Sequence, residues 1–127
     1  MSGSGVFWTG VGFLGLALGV AAGAFGAHAL QGSLDAENLQ RWDTATRYLV
    51  YGFLGITLAG LAATVWPDAS WGPPLACLFL GTAVFSGTVG SLALGGPRWL
   101  GAVTPVGGTL MIVAYAWIGW TVLRRVG

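Results

Sequence analysis

The chain has 127 residues, 55% of them hydrophobic, with only five basic and four acidic side chains. A soluble domain carries roughly 25% charged residues, whereas this chain carries 7%, so most of its surface must face lipid rather than water. A net charge of +1 leaves no basic face for nucleic acid, and the length allows one domain.

The first apolar segment runs from about residue 6 to residue 30 without a formal charge. That is long enough to cross a hydrocarbon core of about 30 Å with some tilt. No Lys or Arg precedes it, and it is long and Gly-rich, which weighs against a secretory signal peptide. Gly12, Gly15, Gly19, Gly23 and Gly26 recur every three or four residues and so share one helix face. Such a row lets a second backbone approach closely, which is how membrane helices gain packing energy. Helix packing is therefore assigned to Gly15, Gly19, Gly23 and Gly26. The segment ends in Gly23-Ala24-Phe25-Gly26-Ala27-His28-Ala29-Leu30, which holds the sole histidine.

Residues 31–47 are polar. Asp35 or Ser33 can cap a helix start, and Glu37 suits the positive end of its dipole. Glu37 with Arg41, and Asp43 with Arg47, are spaced i, i+4 in the favourable order, while Leu39, Trp42 and Ala45 fall on one side. The pattern predicts a short amphipathic helix over about 34–46, lying at the membrane interface.

Three more spans follow, over about 48–66, 75–94 and 105–123. Gly52, Gly55 and Ala59 carry small residues into the second. Trp66-Pro67-Asp68 ends it, and Trp71 marks the far interface. In the third, Thr82, Ser86 and Gly90 share a face, where hydroxyls can bond the carbonyl one turn back or a neighbouring helix. Thr104-Pro105 reads as an N-cap followed by Pro at the first helical position, which starts the fourth helix at Pro105. The alternative is a helix that starts near Trp99 and carries Pro105 inside it. The fold expected is an all-α membrane protein, four transmembrane helices in a compact bundle with a short interfacial helix between the first two.

Chemistry is sparse. No Asp, Glu or Lys lies inside a span, which counts against ion-coupled transport. There is no Cys/His cluster for zinc or an iron–sulfur centre, and the single Cys77 reads as a small buried hydrophobe. No nucleophile–base pair can be assembled, so neither an enzyme nor a cofactor is expected. His28, near the C-terminal end of a helix where free carbonyls favour imidazolium, reads either as an axial ligand or proton relay, or as a polar pin bonded to backbone or to the following polar segment. With four spans, His28, Arg41, Arg47, Tyr48, Ser86 and Thr104 gather towards one membrane face, and they form the candidate polar or interface site.

Gly23 to His28, then Tyr48, then Phe85-Ser86-Gly87 with Leu92-Ala93-Leu94, then Val103-Thr104-Pro105-Val106-Gly107-Gly108, resemble the domain-of-unknown-function 423 family. Its members include small bacterial inner-membrane proteins and the animal transmembrane protein 256. The resemblance covers nearly the whole chain. It implies a four-helix membrane protein and no established activity. It also implies a second histidine near the start of the second helix, where this chain has Gly52. Gly90 stands near the place of a family tyrosine, and Ala114-Tyr115 takes the place of a Gly-Trp pair. A site built on two histidines is therefore not intact here. The expected function is a structural, accessory or assembly component, a small subunit of a larger membrane complex whose partners are the bilayer and other membrane subunits. The alternative is a small-solute channel or transporter, or a lipid or quinone binder. Basic residues at the C-terminus, Arg124-Arg125, set against Arg41, Arg47 and Arg98, lead to an expectation of cytoplasmic termini in a bacterial inner membrane.

Overall fold

The computed structural model describes residues 3–126, with the side chain of Ala27, inside the first motif, outside the description. Four helices are long and apolar enough to cross a membrane. They are α1 (Gly3–Leu30), α2 (Ala36–Val65), α3 (Gly72–Ala93) and α4 (Leu100–Leu123). Helices pack in chain order, α1 on α2, α2 on α3 and α3 on α4, so α1 and α4 stand at the two ends of the row. The core sits between the central helices, where Phe53 and Ile56 of α2 meet Leu75 and Leu78 of α3, with Met111 and Ala114 from α4.

The glycine row of α1 does what its spacing predicts. A Cβ placed on Gly12, Gly15, Gly19, Gly23 or Gly26 would meet Thr57, Phe53, Val50, Thr46 or Trp42 respectively. As one number rises by three or four the other falls by three or four, so the pair is antiparallel and keeps its register to within one residue. Gly12 is the tightest against main chain: its Cβ would lie 2.6 Å from the backbone N of Thr57. The α3–α4 pair repeats the device with Gly107, whose Cβ would fall 2.9 Å from the Cα of Phe85.

Two boundaries differ from the sequence expectation. The polar stretch is not a separate interfacial helix: residues 36–65 form one unbroken helix of 30 residues. Nothing interrupts it, since no Gly or Pro lies between Gly32 and Gly52. Asp35 caps it by accepting from the Asn38 N–H at 2.8 Å. Glu37–Arg41 and Asp43–Arg47 pair along it as their spacing predicts. At 1.5 Å per residue α2 is about 45 Å long, so about 15 Å of it, the polar first turns, stands clear of a core of about 30 Å.

The second difference is the start of α4. It begins at Leu100 with Pro105 inside it, so the expected start at Pro105 gives way to the alternative near Trp99. Pro105 leaves the Gly101 carbonyl without its helical donor, and the opening turn is tightened by bonds from Leu100, Gly101 and Ala102 to the carbonyls three residues back. Thr104 is therefore not an N-cap. It sits in the first turns and bonds back to the Leu100 carbonyl at 3.1 Å.

The α3–α4 turn closes on a Schellman arrangement. Gly96 N–H reaches Ser91 O at 2.7 Å and Gly95 N–H reaches Leu92 O at 3.1 Å. Gly95 takes φ +92°, a value that costs glycine nothing. At the opposite end, Arg125 holds both oxygens of Asp68, at 2.9 and 2.8 Å. This ties the end of α4 to the α2–α3 loop and holds the Asp68 carboxyl below its ordinary value. Trp71 is buried rather than set at the interface surface, its indole N–H bonded to the Trp66 carbonyl at 2.8 Å.

Candidate functional site

The end of the molecule that carries His28 holds most of the distinctive residues, and the fold sorts them into three groups. The first lies at the surface. His28 is exposed and its imidazole has no hydrogen bond among the described residues; its backbone carbonyl accepts from the Gln31 N–H. The expected polar pin is therefore not formed. Arg41 and Arg47 are exposed and paired within α2, so neither reaches into the helix bundle.

The second group cross-links helices. The Thr88 and Thr104 hydroxyls meet at 2.7 Å across α3 and α4. Tyr48 packs on Phe85 with ring centroids 4.7 Å apart, joining α2 to α3. Tyr115 donates its hydroxyl to the Tyr51 carbonyl, joining α4 to α2, and Gly55 leaves room for the Tyr115 ring. Gly52, where the family resemblance implies a histidine, lies against the Thr82 side chain, and a Cβ there would overlap it. A larger residue at that place needs a different α2–α3 approach.

The third group surrounds a break in the regularity of α1. Ala22–Gly26 form a π-helical turn between two α-helical parts. Such a turn shifts the ladder and leaves a carbonyl available. The Trp42 indole N–H takes it, bonding Ala22 O at 2.9 Å. Gly26 makes this possible, since a Cβ there would lie 2.8 Å from the indole ring. Sequence spacing places Trp42 on the apolar side of its helix but carries no signal for the π turn, which shows only once α1 and α2 are registered.

Beside this bond, α1, α2 and α3 border an open cavity of about 310 Å³. Its walls are apolar, with Leu18 from α1, Leu49 and Phe53 from α2, and Ala83 and Gly87 from α3. Ser86 lines it too. Ser86 and Thr82 share one side of α3 as their spacing predicts, and neither hydroxyl makes the bond back or across that this spacing allows. Thr82 is fully buried and Ser86 is 7% exposed. An unpartnered hydroxyl in apolar surroundings costs about 1–3 kcal/mol. Of the six residues placed at the candidate site, only Ser86 lines this cavity; His28, Arg41, Arg47 and Thr104 do not. A second cavity, about 350 Å³, lies between Tyr48 and Tyr51 of α2, Phe85 of α3 and Met111 of α4. No group of three or more His, Cys, Asp or Glu able to hold a metal is found among the described residues.

Four apolar helices packed through small-residue faces define the class: a small multi-span membrane protein with its motifs gathered at one end. The family described as "Protein of unknown function (DUF423)" matches residues 22–108, and the chain belongs to it. The match spans the π turn, α2, α3 and the first nine residues of α4, Leu100–Gly108. A UPF0382 membrane protein of Staphylococcus epidermidis is 42% identical over 114 residues, covering 89% of this chain and 88% of its own. One from Staphylococcus saprophyticus is 40% identical with 89% of each chain covered, and one from Staphylococcus aureus is 37% identical over 89% of this chain and 88% of its own. No solved structure matches the chain.

Proposed function

We propose that the protein is a non-catalytic structural or accessory component of a larger complex in a bacterial plasma membrane, with both termini on the cytoplasmic side. The observation that carries this reading is how the polar side chains between the helices and at the motif-bearing end are used. Trp42, Tyr115, Thr88 and Thr104 join helix to helix, and Arg41 and Arg47 are engaged by acids of their own helix. Few groups remain for chemistry, while α1 and α4, at the ends of the row, present broad apolar faces with Phe13, Leu14, Ile112 and Trp120 exposed. The solute-channel alternative finds less support, because the two cavities between helices are walled mainly by apolar side chains.

Affinity purification of the full chain in mild detergent, with mass spectrometry and light scattering of the product, tests the reading. Recovery with another membrane chain at fixed stoichiometry is expected. A lone monomer in good yield overturns it. His28→Ala is expected to leave that assembly intact; loss of a measurable flux or of a cofactor spectrum in this variant also overturns it. For the orientation, a fluorescent protein fused after the C-terminus is expected to mature in the cytoplasm.

A further inference from the structure

Three of the five arginines have an acid partner and two do not. Arg41, Arg47 and Arg125 pair with Glu37, Asp43 and Asp68. Arg98 and Arg124 have no acid partner among the described residues. Arg98 is exposed on the α3–α4 loop. Arg124 instead borders a cavity of about 330 Å³ between the α2–α3 loop and the end of α4. Its walls are mainly polar, unlike those of the two cavities between the helices.

On these walls the donors outnumber the acceptors. Asp68 is the one acid lining the cavity, and both its oxygens accept from a single nitrogen of Arg125, Nη2. The other side-chain N–H groups of Arg125, and all those of Arg124, have no acceptor among the described residues. The Ser70 hydroxyl also lacks a partner there, while that of Thr121 donates to the Trp117 carbonyl at 2.9 Å. The cavity is thus lined by two cations against one anion. The last carbonyls of α4 add roughly half a negative charge, less than this surplus. A guanidinium fork matches two oxygens of a phosphate, so the open place suits an oxyanion.

Depth selects which one. α4 has 24 residues and so is about 36 Å long, more than a hydrocarbon core of about 30 Å. Arg124 follows its last residue, and Trp117 and Trp120 are exposed on its final turns, where interfacial aromatic residues belong. The cavity therefore lies level with the lipid headgroups, whose phosphodiesters are the anions at hand. An ethanolamine or choline headgroup would bring its own cation beside two guanidinium groups; a glycerol headgroup brings none. About 330 Å³ is at the low end of ligand pockets, roughly 300–1,000 Å³, enough for one phosphodiester and its glycerol.

We propose that this cavity seats the phosphate of one anionic phospholipid of the phosphatidylglycerol class. Arg124 is its principal partner, the unspent nitrogens of Arg125 and the Ser70 hydroxyl are further donors, and the acyl chains run into the bilayer past Trp117. Asp68 holds Arg125 at the wall and leaves part of its fork for the lipid. This inference goes beyond the accessory reading and stands apart from it, since binding is measured on the isolated chain.

The full chain, stripped of lipid in mild detergent, is titrated with dioleoylphosphatidylglycerol and separately with dioleoylphosphatidylcholine, and adducts are counted by native mass spectrometry. One phosphatidylglycerol per chain is expected at concentrations where the choline lipid leaves the chain bare. Arg124→Gln is expected to weaken that adduct about tenfold, the size of one charge-assisted hydrogen bond. Arg124 is exposed at a helix end, so the substitution leaves the fold in place. Arg98→Gln makes the same change in net charge at the other membrane face and is expected to leave the adduct unaltered. Excess inorganic phosphate is expected not to displace the lipid. Equal loss in both variants assigns the binding to general charge attraction and overturns the proposal, as does equal retention of the two lipids. Displacement by inorganic phosphate overturns it by making the cavity a seat for free phosphate.

Discussion

α2 meets α1 on one side and α3 on the other, and both contacts are built from small residues with different results. Along α1 every glycine of the row faces an atom of α2. The gap is closed along its length and the backbones lie together. Along the last turns of α3, Gly87 faces open space, while Gly90 would make only ordinary contact with Ala45, as Gly23 does with Thr46. There the same residue type leaves room. Small residues in a membrane helix therefore encode two things, close approach or clearance, and only the opposing atom decides which. The π turn in α1 belongs to the boundary between the two regimes, since its Gly26 contacts the Trp42 indole while Ala22 and Trp42 also border the cavity.

Substitutions can break or sharpen this contrast. Gly12→Ala has the largest expected effect, because its Cβ would strike the Thr57 main chain and the two helices must part; a loss of about 2 kcal/mol is expected, measured by unfolding in mixed micelles. Trp42→Phe keeps an aromatic ring but removes the bond to the Ala22 carbonyl, at an expected cost of about 1 kcal/mol in the same assay. Ser86→Ala reverses the sign. It removes a hydroxyl without a partner, so stability is expected to hold or to rise by roughly 0.5 kcal/mol. If Gly12→Ala proves harmless, or Ser86→Ala as damaging as Trp42→Phe, the division between a closed and an open interface fails.

The smallest effect belongs to the opposite end. Arg125 holds the Asp68 carboxyl below its ordinary value of 3.8. The contribution of this pair is fully present above the unfolded-state value and is lost as pH falls through the lower folded one. Both groups are at the surface, so the change is slight. A shallow decline in melting temperature below pH 4 is expected in the natural chain and is expected to be absent in Arg125→Gln.

Much of this was legible in the sequence. The four spans, the packing role of the α1 glycines and the two acid–arginine pairs all follow from period and charge spacing. The continuity of α2 was not legible, because a change from polar to apolar composition marks the membrane edge and not a helix end; with no Gly or Pro at the change and two ion pairs along the polar turns, the helix continues. Pro105 misled for a related reason. Proline marks a first turn well when no other group meets the orphaned backbone, but here the helix starts one turn earlier. The cavity could not be read at all, since it depends on which helix faces Gly87, and that is a property of the whole row. Ser86 was found by its spacing, but that it lacks a partner became visible only with every neighbour in place.

The order of the row has a consequence for how the protein is made. Each helix after the first packs on the one synthesised just before it. α1 and α2 can close their register while α3 is still emerging, and α3 then adds to a finished face. Contacts between neighbours in sequence close short loops, which favours rapid assembly. The Tyr115–Tyr51 bond, which reaches from the last helix back past its neighbour, becomes possible only after the last helix has been made.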